Sequence, residues 1–293
     1  MKKIIHFLLI TVLLMATGFL FLSCPPDLDE EEDEAVLVWS DEFDGDTLDT
    51  TKWFLVPEWD RQDRSSWRND MVEVKGGYLH IKFRRDTALG AQKSTDTALV
   101  NNWIRGGGVR TRSTNSLNYS FRNGFGYYEA RIKFPMVRGA WGAFWLMYNS
   151  NDANLATVGG EEGTEIDIIE SIDYGERHYN SALHWNGYPS TSVSSKSWYN
   201  GVQHRPSHLP DIYDGEFHTF AVNWTETEYV FYVDGIESWR VDGGPDFKNC
   251  GINQAKNYIK LTTEGASFAG ILPADFTEDA MIVDYVRVYD KKP

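Results

Sequence analysis

The chain has little cysteine, little basic charge and almost no helical periodicity, and each shortage removes a class of protein. Only Cys24 and Cys250 occur in 293 residues. Cys24 closes an apolar run near the N-terminus, so the two are not expected to pair and the fold must hold without disulfides. A chain of this length can bury enough apolar surface to do so as one large domain. Lys and Arg total 28 against 43 Asp and Glu, a formal net charge of −15. That field repels a nucleic-acid backbone and no basic stripe offsets it, so nucleic acid is excluded as a partner. No His-Glu-x-x-His sequence and no Cys/His array is present, which argues against a catalytic metal or other catalytic cofactor. Beyond the first residues, no long segment carries an apolar repeat of helical period.

What the chain has in quantity is aromatic residues, 14 % of the total with 11 Trp and 15 Tyr. Large sheets use aromatics as core and cross-strand partners, and sugar-binding clefts use them because pyranose C–H faces stack on indole and phenol. Both uses are expected. Residues 127–134, 217–224, 229–233 and 281–289 alternate apolar and polar with β-branched and aromatic enrichment, which predicts strands. Asp44-Gly45, Asp214-Gly215, Asp234-Gly235 and Asp242-Gly243 predict turns between them. Short strands with frequent turns imply an all-β sandwich or jelly roll. Residues 84–103 are polar and read as a long loop.

The N-terminus reads as an address. Lys2 and Lys3 precede an apolar stretch over residues 4–22, which ends in Ser23-Cys24. A basic start, an apolar middle and a small residue before the break make an export signal. Ser23-Cys24 resembles the lipobox of bacterial lipoproteins, in which the cysteine is acylated after cleavage; an uncleaved membrane anchor is the alternative. Either places the body of the protein outside the cytoplasm, in the bacterial cell envelope and anchored to the membrane, with secretion as the alternative. The Pro25-Pro26 pair and the acidic run through Glu34 cannot bury apolar area and predict a solvated tether. The expected organisation is a signal at residues 1–23, a tether at 24–35 and one functional domain at 36–293, acting as a monomer.

The informative segment is Gly163-Thr164-Glu165-Ile166-Asp167-Ile168-Ile169-Glu170-Ser171. On a strand, Glu165 and Asp167 share one face and Ile166 and Ile168 the other. Strict alternation would bury Glu170 beside Ile166. A β-bulge at Ile168-Ile169 inserts one residue and returns Glu170 to the face of the other two acids. Three carboxylates on one face repel one another, which is poor design for stability and apt for chemistry. Two carboxyl groups flanking a glycosidic bond are the equipment for its hydrolysis, and a close pair suits the retaining mechanism. Glu165 is then the nucleophile. Glu170 is the acid/base, protonated under the influence of nearby negative charge, and Asp167 lies between them.

Glu165-Ile166-Asp167-Ile168-Ile169-Glu170 resembles the bulged signature of glycoside hydrolase family 16, the laminarinase-like enzymes. The likeness continues in Trp39-Ser40-Asp41-Glu42-Phe43-Asp44-Gly45, in Gly126-Tyr127-Tyr128-Glu129-Ala130-Arg131 and in Trp141-Gly142-Ala143-Phe144-Trp145. It extends to Phe217-His218-Thr219-Phe220 and Asp284-Tyr285-Val286-Arg287. Gly142 stands where the family often has proline, a change that could loosen the backbone there. The resemblance implies a concanavalin-like jelly roll of two curved antiparallel sheets with the acids in the concave cleft. It implies retaining, endo-acting hydrolysis of a β-glucan or β-galactan, with the family roles falling on Glu165, Asp167 and Glu170. Trp141 and Trp145 would be sugar-stacking platforms, and His184 would bind sugar or the acid/base. A structural calcium away from catalysis would be held by Glu42, a carbonyl near Gly77 and Asp284. Arg110 and Arg112 could reach sugar hydroxyls, but read first as solvated strand arginines.

The leading expectation is hydrolysis of a β-1,3- or mixed-linked glucan, with a β-galactan (agarose, carrageenan or a mucin-type glycan) as the alternative. A transglycosylase would share the acids, whereas a non-catalytic lectin on the same fold predicts a damaged acid set, and all three acids are intact.

Overall fold

Alternation of buried and half-buried residues marks the strands at the middle of one sheet. In Gly126–Lys133 the side chains of Tyr128, Ala130 and Ile132 point inward while Glu129, Arg131 and Lys133 point out. The structure is a computed structural model that describes residues 33–61, 64–114, 118–149, 160–185, 193–198, 205–242 and 250–293. Residues 35–293 pack as one unit. The expected signal, Cys24 and most of the tether lie outside the described residues.

The first strands are β1 (Leu37–Asp41), β2 (Phe54–Leu55), β3 (Trp59–Asp60), β4 (Ser65–Trp67), β5 (Val72–Lys75) and β6 (Tyr78–Arg85). Next come β7 (Ile104–Arg110), β8 (Gly126–Lys133), β9 (Trp141–Met147), β10 (Thr164–Asp173), β11 (His178–Trp185) and β12 (Val193–Trp198). The last are β13 (His218–Trp224), β14 (Tyr229–Val233), β15 (Ile236–Val241), β16 (Tyr258–Glu264) and β17 (Glu278–Tyr289). One sheet has the order β15-β14-β13-β8-β17-β6-β5, with β1 beside the far end of β17. The other runs β12-β11-β10-β9-β16-β7-β2. Strand β7 links the two, pairing at its start with β6 and, in parallel, with β4. The architecture is the expected all-β jelly roll.

The core lies between the sheets. Leu79, Ile81, Ile132, Phe220, Val222 and Phe231 of one sheet meet Phe144, Leu146, Ile166, Leu183, Ile259 and Leu261 of the other. Each such side chain contributes roughly 1.5–3 kcal/mol by leaving water, which stands in for the missing disulfides. Cys250 is free and buried. The Asp234-Gly235 turn joins β14 to β15 with both residues at positive φ (50° and 73°), the left-handed pair a two-residue hairpin needs. Gly243 of the predicted Asp242-Gly243 turn lies outside the described residues.

The segment read as a long loop is different. It holds the end of β6 and two short helices, α1 (Thr87–Lys93) and α2 (Thr97–Asn101). Each is started by an aspartate: Asp86 accepts from the Leu89 N–H and Asp96 from the Ala98 N–H.

Candidate active site

Strand registers in the second sheet line up outward side chains in rows. One row reads Arg110, Lys260, Trp145, Asp167, Ala182 and Ser195, crossing six strands from β7 to β12. The row on one side carries Tyr258 and Met147 as partners, then Glu165 and His184. The row on the other carries Thr262, Ala143, Glu170 and Asn180. Directly opposed residues share a face, so the three acids occupy three successive rows of one surface.

Glu170 reaches that surface through a bulge. Between β10 and β9, Asp167 opposes Trp145 and Ile169 opposes Phe144, so β10 spends one extra residue there. Ile166, Ile168 and Ile169 are all in the core, and Glu170 is carried back to the side of Asp167. Glu165, Asp167 and Glu170 all line a cleft of ≈ 690 Å³ together with Trp141, His184 and Lys260. A cavity of ≈ 710 Å³ elsewhere is lined by Leu48, Phe54 and Val72, and among the described residues Glu58 is its one acid, with no second carboxyl to pair with.

Burial governs the electrostatics. Asp167 and Glu170 are 4 % and 8 % exposed. Burial lifts the Glu170 carboxyl well above the usual range, and the neighbouring Asp167 and Glu165 charges push it further. Negative charge, expected to be the main cause, ranks second to desolvation. His184 and the Trp141 indole N–H, which donates to Glu170 Oε1 at 3.0 Å, act in the opposite sense. Asp167 is also raised by burial, opposed by Lys260. His184 Nε2 lies 3.2 Å from Asp167 Oδ2, so the histidine meets the central acid.

The aromatics are arranged differently from expectation. Trp141 is half-buried at the cleft and meets exposed Phe268 edge-on at 4.9 Å. Trp145 is buried: its indole N–H donates to Thr262 Oγ1 at 3.0 Å, and the Lys260 ammonium sits 3.4 Å from its ring centroid. It is cleft floor, so the expectation of an open stacking plate is corrected for that residue. Exposed ring surface comes instead from Trp59, stacked on buried Trp67, and from Phe268. At Gly142 the packing is close: a Cβ there would come within 3.1 Å of Phe134 and 3.2 Å of Met281. Arg110 is not solvated, being 7 % exposed and facing the cleft.

Residues missed in the sequence sit on β16 and before β4. Lys260, Thr262 and Glu264 face the cleft, and Arg61 clamps Glu264 with contacts of 2.9 and 3.2 Å. The alternation of Tyr258, Lys260, Thr262 and Glu264 with Ile259 and Leu261 was the available signal.

The proposed calcium ligands do not fit an ion. Arg287 takes both oxygens of Glu42 at 3.1 and 2.8 Å, and Asp284 is paired with Arg131. Gly77 is a turn residue at φ 82°. Among the described residues, the cluster with metal-ligand spacing is Glu165, Asp167 and His184, with donor atoms within 4.8 Å of one another. Two of these are the acids that a hydrolysis would use.

A jelly roll with a long aromatic-edged cleft and adjacent carboxyl groups held in unlike environments defines a class, the O-glycosyl hydrolases. The chain belongs to glycoside hydrolase family 16: residues 34–291 match the model described as beta-porphyranase A-D, GH16 domain. It is 25 % identical over 303 aligned residues to the glucan endo-1,3-beta-glucosidase A1 of Niallia circulans, covering 91 % of this chain and 41 % of that protein. It is 29 % identical over 209 residues to the kappa-carrageenase of Pseudoalteromonas carrageenovora, covering 67 % of this chain and 48 % of that protein. The chain thus spans less than half the length of either curated relative. The catalytic domain of the Thermotoga petrophila endo-1,3-beta-glucanase superposes with a TM-score of 0.66 at 24 % identity, covering 89 % of this chain and 99 % of that one.

Proposed function

We propose that the chain is an endo-acting hydrolase of a β-linked polysaccharide that works by double displacement. The observation that carries this is the bulge of β10, which sets Glu165, Asp167 and Glu170 on one face in three rows. A Glu165 oxygen attacks the anomeric carbon while Glu170 gives its proton to the glycosidic oxygen. The C–O bond breaks, the leaving chain departs as an alcohol, and a glycosyl ester forms on Glu165. Glu170, now a carboxylate, takes a proton from water, whose oxygen attacks the same carbon and releases Glu165. Burial suits Glu170 to the acid role because it favours the neutral carboxyl. Asp167, between them, raises the proton affinity of Glu170 further.

Stereochemistry with small nucleophiles tests the roles. With an activated β-glycoside, Glu165→Ala should lose several orders of magnitude in turnover, and azide should restore part of it with an inverted product. Glu170→Ala should still form the ester, because an activated leaving group needs little acid help, and azide should then give the retained product. One stereochemical outcome for both variants would reject the assignment.

The Niallia circulans relative, a glucan endo-1,3-beta-glucosidase, supports a β-1,3-glucan as substrate, within the wider expectation of a β-1,3- or mixed-linked glucan. A second reading, a β-galactan bearing anionic groups, is favoured by Arg110 and Arg112. Both line the cleft of a chain of net charge −15, and no carboxylate among the described residues lies within ion-pairing distance of either. The beta-porphyranase family model and the kappa-carrageenase relative support the same reading. Reducing-end release from laminarin, lichenan, agarose and carrageenan decides between them, and equal release from neutral and sulfated polymers would remove the case for the arginines. We further propose that Cys24 is acylated and tethers the enzyme to the membrane. Cys24→Ala should then leave the membrane fraction or fail to mature; unchanged retention with an intact N-terminus would indicate an ordinary anchor.

A further inference from the structure

Lys260 is the least economical residue on the cleft floor. It is 7 % exposed, and its register partner on β7 is Arg110, so two cations stand directly opposed in the sheet. Like charges in that relation are unfavourable, and an apolar side chain would fill the site at lower cost. Its ammonium lies 3.4 Å from the Trp145 ring centroid and 5.1 Å from that of Trp67, a cation held between indoles. Covered this way, it presents little surface to a sugar. Its charge instead acts on the acids beyond Trp145, since Lys260 and Asp167 flank that tryptophan in one row.

We propose that Lys260 is a positioning residue, the buried countercharge that keeps Glu165 ionised for attack. This rests on Glu165 being the nucleophile. The groups facing Lys260 are Glu165 and Asp167 from β10, Glu264 from β16, Arg110 from β7 and Arg61 from the segment before β4. Glu264 is already clamped by Arg61, and Asp167 also has His184 Nε2 at 3.2 Å. Burial works against the ammonium; attraction from Glu165 is the largest influence restoring it, while Arg61 and Arg110 oppose it. The same ammonium lowers the Asp167 carboxyl. Lysine and nucleophile therefore stabilise each other's charged forms; Asp167 shares the lysine's row, and Glu165 and Glu170 stand in the adjacent rows on either side of it, all in the one cleft that Lys260 floors.

The test is the pH profile of kcat/KM for full-length wild type, Lys260→Met and Lys260→Arg on whichever polymer of the panel is cleaved fastest. A lost cation raises the proton affinity of nearby carboxylates, so the acid limb of K260M should move up by about one pH unit. K260R should return it towards wild type. A K260M limb that stays in place, with turnover lowered evenly at all pH, overturns the proposal and leaves Lys260 a packing residue. Should K260M not fold, Lys260→Gln carries the same expectation. A 13C titration of the Glu165 carboxyl in K260R must then show its ionisation at lower pH than in that variant. Active Glu165→Ala would instead overturn the catalytic reading and this proposal with it, an outcome the K260M profile alone cannot produce.

Discussion

The outer face of the first sheet and the cleft face of the second both set carboxylates beside cations, and the two sets are in opposite states. On the outer face Glu42 and Glu73 are clamped in partial solvent. Arg287 holds Glu42 by both oxygens, and Lys75 and Lys82 reach Glu73 at 2.7 and 2.8 Å. Those partners hold both carboxyls below their ordinary range, Glu73 down to about 2. In the cleft, Asp167 and Glu170 are buried and their carboxyls move up. Lys260, the cation that opposes the shift of Asp167, sits over the Trp145 ring. The residue types are the same on both faces, so the difference is desolvation against direct pairing. Glu42 and Glu73 are fixed as anions; Asp167 and Glu170 are poised to exchange protons.

Among substitutions that leave both catalytic glutamates in place, the largest effect should come from removing charge at the centre of the cleft. In Asp167→Asn the shape persists and the negative neighbour of Glu170 is lost. The proton affinity of Glu170 should fall, moving the alkaline limb of the kcat profile to lower pH, and turnover should drop by about 10²-fold or more, the scale of general acid catalysis. The direction is opposite to that expected for K260M. An alkaline limb at its wild-type position would show that burial alone sets the state of Glu170 and that the acids are not coupled.

How much of this was readable depends on whether the signal is local. Glu165, Asp167 and Glu170 announce themselves because the pleat fixes which face a residue takes, and a bulge is the one device that reconciles their spacing. Trp145 also faces the cleft as alternation demands, but its neighbour is Lys260, 115 positions away in sequence and adjacent only through the β9–β16 pairing. Register between distant strands is not written in either strand alone, so the covering of Trp145 and the row from Arg110 to Asp167 were invisible. The helices at 87–101 were missed for another reason. Asp86-Thr87-Ala88-Leu89 and Asp96-Thr97-Ala98-Leu99 are the same tetrapeptide twice, each with an N-cap aspartate. They were legible as helix starts, and the helices are too short to show a periodic face.

The smallest effect should come from the outer face, and there the comparison can be tested through stability. In Glu73→Gln the carboxylate between Lys75 and Lys82 is replaced by a neutral amide of similar size. The Glu73 side chain is 33 % exposed, so solvent screens the pair and the loss at neutral pH should be no more than about 1 kcal/mol. Its pH dependence carries the diagnosis. The folded-state carboxyl is depressed to about 2, while an unfolded glutamate titrates near about 4.3. The stabilisation is therefore fully present above the unfolded value and disappears as pH falls through the folded one. Wild type and E73Q should differ in Tm at pH 6, converge between about pH 4 and pH 2, and converge also at high salt. Activity at neutral pH should match wild type, since Glu73 is on the sheet face away from the cleft. A Tm difference that persists at pH 2 and in high salt would mean that Glu73 acts through packing, and the outer face would then no longer be the paired and solvated counterpart of the cleft.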